Sequence, residues 1–254
     1  MNCYELKMQW KAEEDFAFQG WDFSHIDSRM DIDELPWDYE EILRRYLKPT
    51  DRLLDMGTGG GEFLLTIGHP HELTSVTEAY LPNVELCMRR LTPLGITVAQ
   101  TYDDDHLPFA DESFDIVLNR HESFDPAEVH RVLKPGGYFI TQQVGSANNN
   151  DLSAKLIEGF VPQNSQNCLS HWLTVLEKLK FSILTASEAF PVERFFDIGA
   201  LVYYAKIIQW EFPNFSVDTA FDRLCACQQE LEKLGFVKGT AHRFIIAAKK
   251  VVEI

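Results

Sequence analysis

Four glycines crowd into five positions of RLLDMGTGGGEF (52–63), where a short apolar run gives way to a helical pattern. Glycine adopts positive φ without strain and has no Cβ to hold a ligand off the backbone. Gly57, Gly59 and Gly61, at alternate positions around Thr58, therefore predict a tight turn lying against a ligand. Acids stand at the ends of the neighbouring apolar runs. Asp55 precedes the turn, Glu78 comes seventeen residues after Gly61, and Asp103 and Asp104 lie in YDDDHLPF. A carboxylate can accept from two vicinal hydroxyls, which assigns Glu78 to a ribose. Asp103 and Asp104 fall where an adenine amino group can be met. A fourth run ends in Asn119, Arg120, His121 and Glu122. The last two either meet an acceptor and remove its proton, or form a polar loop closing over the pocket.

These residues need a scaffold that brings strand ends together. Between 51 and 144 the runs RLLDM, LTSVTE, ITVAQ, FDIVLN and YFITQQV alternate with helical patterns. That alternation predicts a parallel sheet wrapped by helices, whose ligand crevice lies beyond the carboxyl ends of its strands. DYEEILRRYL (38–47) reads as a helix with Asp38 as N-cap and Pro49 closing it. In DPAEVHRVLKPGG, Asp125 caps a helix, Pro126 takes its first position and Glu128 completes a capping box, before KPGG turns the chain into the next strand. NNND (148–151) marks a loop. SHWLTVLEKLK (170–180) reads as a helix, FSILTASE and HRFIIAAKK (242–250) as strands, and two further helical patterns lie around 197–208 and 218–234.

Spacing separates the ligands such a turn can serve. A dinucleotide fingerprint beginning at Gly57 needs glycine at 62, where the chain has Glu62, and a carboxylate there repels a pyrophosphate. No Gly-Lys-Ser/Thr follows, which excludes a Walker loop. Asp55 suits a ligand with positive charge, and S-adenosylmethionine carries a sulfonium and an ammonium and no phosphate. The ordered series DMGTGGG, LPF, SFDIV and RVLKPGG resembles the class I S-adenosylmethionine-dependent methyltransferases of the small-molecule type, over about 51–144. That resemblance implies a Rossmann-like α/β fold, a seven-stranded sheet, mostly parallel with an antiparallel last strand and helices on both faces. It implies that Asp55 and the loop Gly57–Thr58–Gly59–Gly61 hold the methionine portion and that Glu78 binds the ribose. Ala79 would lie beside the adenine, Asp103 or Asp104 at its edge, and Asn119 by the methionine group. The domain would run over 51–254, with a helical insertion at about 191–235 that shapes the acceptor pocket.

The remaining stretch, 1–50, is expected to form a helical lid. Its aromatic and acidic part, FQGWDFSHIDSRMDIDELPWDY (18–39), carries Trp21, Phe23, Trp37 and Tyr39. Trp37 or Tyr39 would face the sulfonium or the acceptor, since aromatic faces attract cations, and Arg120 would border the substrate. The alternative is simple packing on the sheet edge. The chain has 254 residues with 23 basic against 39 acidic, a net charge of −16 that disfavours a nucleic-acid partner. Five scattered cysteines read as reduced thiols, no zinc-type histidine spacing occurs, and no run is long enough for a membrane span. The expectation is a cytoplasmic methyltransferase, monomer or homodimer, binding no metal and acting on a small-molecule acceptor. An RNA base methyltransferase, a non-catalytic S-adenosylmethionine-binding protein and a nicotinamide enzyme are the alternatives.

Overall fold

Short, mostly apolar runs bounded by turn residues fold as strands, and all seven strand candidates enter one sheet. The computed structural model describes residues 3–18, 23–162 and 166–252. In chain order the elements are α1 (Cys3–Glu14), β1 (Met30–Ile32), α2 (Tyr39–Tyr46), β2 (Leu53–Met56), α3 (Glu62–Ile67), β3 (Thr74–Glu78) and α4 (Leu81–Arg90). There follow β4 (Thr97–Gln100), β5 (Phe114–Arg120), α5 (Pro126–Val132), β6 (Leu133–Val144), α6 (Asn150–Leu156), α7 (Leu169–Lys178) and β7 (Phe181–Ala189). The last are β8 (Val192–Phe195), α8 (Ile198–Ile207), α9 (Val217–Leu234), β9 (Val237–Thr240) and β10 (Arg243–Lys250). They gather into two compact units.

The larger unit comprises Pro36–Gly145, Gln166–Glu188 and Phe244–Ile254. Its sheet has the order β4-β3-β2-β5-β6-β10-β7, mostly parallel with an antiparallel end. β2 pairs in parallel with β3 on one side and β5 on the other. The chain reverses its direction of travel across the sheet at this point, so the crevice opens at the carboxyl ends of β2 and β5. One apolar cluster packs Ile42, Leu43, Leu53, Val76 and Ile116 on one face, and a second packs Leu54, Val117, Phe139 and Phe244 on the other.

The smaller unit is assembled from Met1–Leu35, Ser146–Ser165 and Ala189–Arg243. β1, β8 and β9 form an antiparallel sheet, with Met30 opposite Phe195 and Val192 opposite Thr240. Trp10, Tyr203, Tyr204, Phe212 and Leu224 share its core. Arg29 donates to Asp197 through both Nε and Nη2, at 2.8 and 2.6 Å, and to Glu13 at 2.8 Å. α8 and α9 occupy most of 191–235, and β8 precedes them. Trp21 lies outside the described residues.

Three local readings are corrected. Asp125 Oδ1 does cap α5, accepting from the N–H groups of Ala127 and Glu128, but Glu128 does not return the bond. Its carboxylate accepts from Leu107 N–H and from a two-point grip by Arg131, which a charge-assisted fork favours over one neutral donor. KPGG lies within β6, where the register against β5 shifts between Phe114 and Ile116, so the glycines serve a bulge. NNND starts helix α6, with Asn149 in the left-handed region just before it.

Candidate functional site

The glycine turn is held by backbone bonds that a side chain would disturb. Gly57 and Thr58 both donate to Thr77 O, at 3.1 and 3.2 Å, tying the turn to β3. Gly57, Gly59 and Gly61 all have positive φ. A Cβ at Gly57 would collide with the Glu122 side chain, whereas one at Gly59 would meet nothing within 4 Å. Cys87 Sγ and Arg90 Nη1 donate to the carbonyls of Gly59 and Gly60 from α4, each at 3.0 Å. Arg90 also pairs with Glu62, so the carboxylate opening α3 has its own counter-charge within the protein.

Glu78 ends β3 and is buried. Its Oε2 accepts from Gly59 N–H at 2.8 Å, and its Oε1 from Ala79 and Tyr80 N–H at 3.0 Å each. Three backbone donors fix the orientation of a group with about four acceptor positions. Asp55, at the third position of β2, is 6% exposed. Burial pushes its carboxyl up from 3.8 to about 6, with the charge of Glu78 acting in the same direction and that of Arg120 against it. The Arg120 guanidinium lies 4.6 Å from the centroid of the Phe63 ring. Asp104 accepts from Ser123 Oγ at 2.5 Å, which joins the loop after β4 to the loop after β5. Asp103 lies beside it and is exposed.

The loop 121–124 is strapped from behind. Asn119 is fully buried, donates to Ser123 O, and accepts from Thr141 Oγ1 and Gln143 Nε2. Its amide thus shapes the loop. His121 has φ +64° and donates from its backbone to Gln142 O at 2.8 Å. Trp37 Nε1 donates to Gln142 Oε1 at 2.8 Å. An indole N–H can only donate, so the amide turns its oxygen to Trp37 and its NH2 to His121 Nε2, 3.1 Å away. His121 Nε2 is then an acceptor, and the ring holds its single proton on Nδ1. Tyr39 points into the core, donating to Ile140 O at 3.4 Å.

Beside Glu122 opens a cleft of about 310 Å³. Phe124 and Trp172 form one wall, their ring centroids 4.5 Å apart. Trp172 Nε1 donates to Asn167 Oδ1 and Asn167 Nδ2 to Val144 O, both at 2.8 Å, which pins the indole. Burial, then the charges of Glu78 and Asp104, raise the Glu122 carboxyl above its ordinary range. The structure therefore brings Asp55, Gly57, Thr58, Gly59, Gly61, Glu78, Ala79, Asp104, His121 and Glu122 to neighbouring strand ends, while Tyr39 is a core residue. Sequence reasoning missed Gln142, Gln143, Phe124, Asn167, Trp172 and the exposed ring of Tyr80. Two adjacent glutamines closing a buried run are the one signal that pointed toward them.

The donor set fits S-adenosylmethionine. Buried Asp55 and Glu78, with Asp104 and Glu122, make an acidic rim that favours a cation, and the open space over Gly59 lets a ligand lie on the backbone. Among the described residues, no group of three or more His, Cys, Asp or Glu is placed to hold a metal ion, and no helix is long and apolar enough to cross a membrane.

A family profile described as a methyltransferase domain matches residues 54–141. The chain is 31% identical over 163 residues to phthiotriol/phenolphthiotriol dimycocerosates methyltransferase 1 of Mycobacterium ulcerans, covering 57% of this chain and 59% of that protein. It is 36% identical over 99 residues to a fatty-acid O-methyltransferase of Mycolicibacterium smegmatis, covering 35% of each. The chain thus spans less than two thirds of the length of these curated relatives. The crystal structure of a putative methyltransferase from Bacillus halodurans superposes with a TM-score of 0.56 at 17% identity, covering 85% of this chain and 99% of that one, which establishes the shared fold.

Proposed function

We propose, from the match of residues 54–141 to a methyltransferase-domain profile, that this chain transfers a methyl group from S-adenosylmethionine to a small-molecule acceptor. The observation that carries the reading is the glycine turn, open above Gly59, with its N–H donating to a buried acid at the end of the adjacent strand. Asp55 and the turn 57–61 would hold the methionine portion, Glu78 and Ala79 the ribose and adenine side, and Asp103 or Asp104 the adenine edge. The bound cofactor supplies an activated methyl group, so the chain's own task is alignment and exclusion of water. Asn119 and Gln143 hold the loop 121–124 in place. Phe124 and Trp172 shield the neighbouring cleft from solvent. Trp37 and Gln142 orient the His121 ring, and His121 or Glu122 would accept a proton from the acceptor where one must be removed. The relatives named for lipid substrates support an acceptor with an apolar body, and the net charge of −16 favours a small molecule over a nucleic acid.

Calorimetric titration with S-adenosylmethionine tests the cofactor site. Glu78→Ala and Gly59→Val should each weaken binding by about tenfold or more, equivalent to about 1.4 kcal/mol, with the fold retained by circular dichroism. Unchanged affinity in both folded variants would defeat the assignment. Transfer of labelled methyl into an acceptor panel then tests turnover.

A further inference from the structure

We propose that the methyl acceptor is an amine with an apolar body, held as its ammonium between Glu122 and Gln143 and deprotonated there before the methyl group arrives. The inference rests on the methyl-transfer reading and names the substrate class of that site. The amides behind the cleft fix what Gln143 offers. Asn119 Nδ2 donates to Ser123 O, so Asn119 Oδ1 is the atom that meets Gln143, and Gln143 must turn its NH2 toward it. The same NH2 donates to Glu122 O and Thr141 Oγ1. Gln143 Oε1 is the atom left over, on a side chain that is 7% exposed and lines the cleft. Glu122 lines the cleft as well. Its carboxylate receives a long 3.4 Å contact from Ser123 Oγ, whose short bond goes to Asp104, so most of its acceptor positions stay open.

Valence and charge then select the acceptor. A carboxylate has about four acceptor positions, so Glu122 with Gln143 Oε1 accommodates all three N–H groups of an alkylammonium. A hydroxyl has one proton to give and would leave the other positions to water. Neither lysine nor arginine is among the described residues lining the cleft, and the Arg120 guanidinium lies over Phe63. S-adenosylmethionine, with its sulfonium, ammonium and carboxylate, brings a single net positive charge to Asp55, Glu78, Asp104 and Glu122, which leaves negative charge for a second cation. Phe124 and Trp172 supply a wall for the apolar body, and aromatic faces favour a cation over an anion. Burial and the charges of Glu78 and Asp104 raise the Glu122 carboxyl, which makes it a better base toward an ammonium. In the transfer, one ammonium proton passes to Glu122, with which the cation already pairs. The freed nitrogen lone pair bonds to the methyl carbon as the carbon–sulfur bond breaks, its electron pair leaving on sulfur. Ammonium, sulfonium and carboxylate thus become methylammonium, thioether and carboxylic acid.

The test uses the full chain saturated with S-adenosylhomocysteine and calorimetric titration at pH 7.5 with benzylammonium, benzyl alcohol and benzoate, which share one apolar body. Benzylammonium should bind about tenfold or more tighter than benzyl alcohol, and benzoate weakest, as expected for charges a few ångströms from a partly buried carboxylate. Glu122→Gln should bring benzylammonium and benzyl alcohol within about threefold. That variant removes one acid from a chain with a net charge of −16, so the loss places the preference at Glu122 and not in the overall charge. Trp172→Ala should weaken all three probes and keep their order. Benzyl alcohol or benzoate binding as tightly as benzylammonium to the native chain would overturn the proposal, as would a preference indifferent to Glu122→Gln. If that variant does not fold, the native order still decides. With S-adenosylmethionine supplied instead, mass spectrometry should find the methyl group on benzylamine. Methylation of the alcohol or the carboxylate in its place would overturn the proposal, and where none of the three is methylated the binding order decides. Binding of S-adenosylhomocysteine, measured first, keeps the two readings apart. Its absence defeats the methyl-transfer reading, whereas its presence with preferred benzyl alcohol or benzoate defeats the acceptor class alone.

Discussion

Replacing Asp55 by asparagine should strengthen the fold and weaken the site. Asp55 is 6% exposed, and its carboxyl is pushed from 3.8 to about 6. A raised carboxyl binds its proton more tightly in the folded chain than in the unfolded one. Its cost to stability is therefore absent below pH 3.8, grows between there and about pH 6, and is fully present above. At about 1.4 kcal/mol per pH unit, the full cost is about 3 kcal/mol, of which about half develops between pH 5 and 7.5. The Asp55→Asn variant, with a side chain that does not titrate, would carry no such cost. Urea melts followed by circular dichroism at pH 5 and 7.5 should show the stability difference, variant minus native, growing by about 1.4 kcal/mol as pH rises. Taking the difference cancels the titration of groups that do not sense the Asp55 charge. The same substitution should lower S-adenosylmethionine affinity, because the acid facing a cation is lost. A difference that stays constant across this pH range, or that shrinks with pH, would refute the claim that burial dominates the Asp55 environment.

Gly57→Ala and Gly59→Ala both place a side chain at positive φ, a strain of about 1–2 kcal/mol, but Gly57→Ala also displaces Glu122. Urea melts should show the larger loss for Gly57→Ala, and equal losses would contradict the packing. Trp37→Phe frees the Gln142 amide, so 15N shifts of the His121 ring should move from the Nδ1–H form toward a tautomer mixture; an unchanged spectrum would remove Trp37 from the relay. In the smaller unit, Glu193 is 2% exposed and burial pushes its carboxyl from 4.5 to about 7, with Arg243 opposing. Its cost grows from about pH 4.5 and is complete above about pH 7, so Glu193→Gln should gain about 1 kcal/mol on the native chain between pH 6 and 8, read from urea melts of the two proteins.

The strands of the large sheet were legible as short, mostly apolar runs between turn signals, whether buried throughout, as in Leu53–Met56, or alternating between faces, as in Phe181–Ala189. The glycine turn and its acids were legible because local backbone geometry demands those residue types. α1 was not, since Trp10 is the one residue it buries and no apolar stripe marks it. β1, β8 and β9 escaped notice because they are three or four residues long and charged. The strap behind His121 joins Trp37 to Gln142, 105 positions apart, and no local pattern encodes a hydrogen bond across that separation. Asn119 is a related case. Its place at a strand end was readable, but its partners Thr141 and Gln143 come from the next strand over.

The smaller unit draws on Met1–Leu35 and Ala189–Arg243, and this has a bearing on biosynthesis. A ribosome adding about 5–20 residues per second needs on the order of 10–40 s to pass from the first of these stretches to the end of the last. Throughout that interval the Trp10 indole waits without Tyr203, Leu224 or the rest of its eventual surroundings. The strands from Leu53 to Val144 pair with one another sooner, although β6 also waits for β10. Nascent chains stalled shortly before Ala189 should therefore present an uncovered Trp10 to holdases and proteases, while the large sheet still lacks β10.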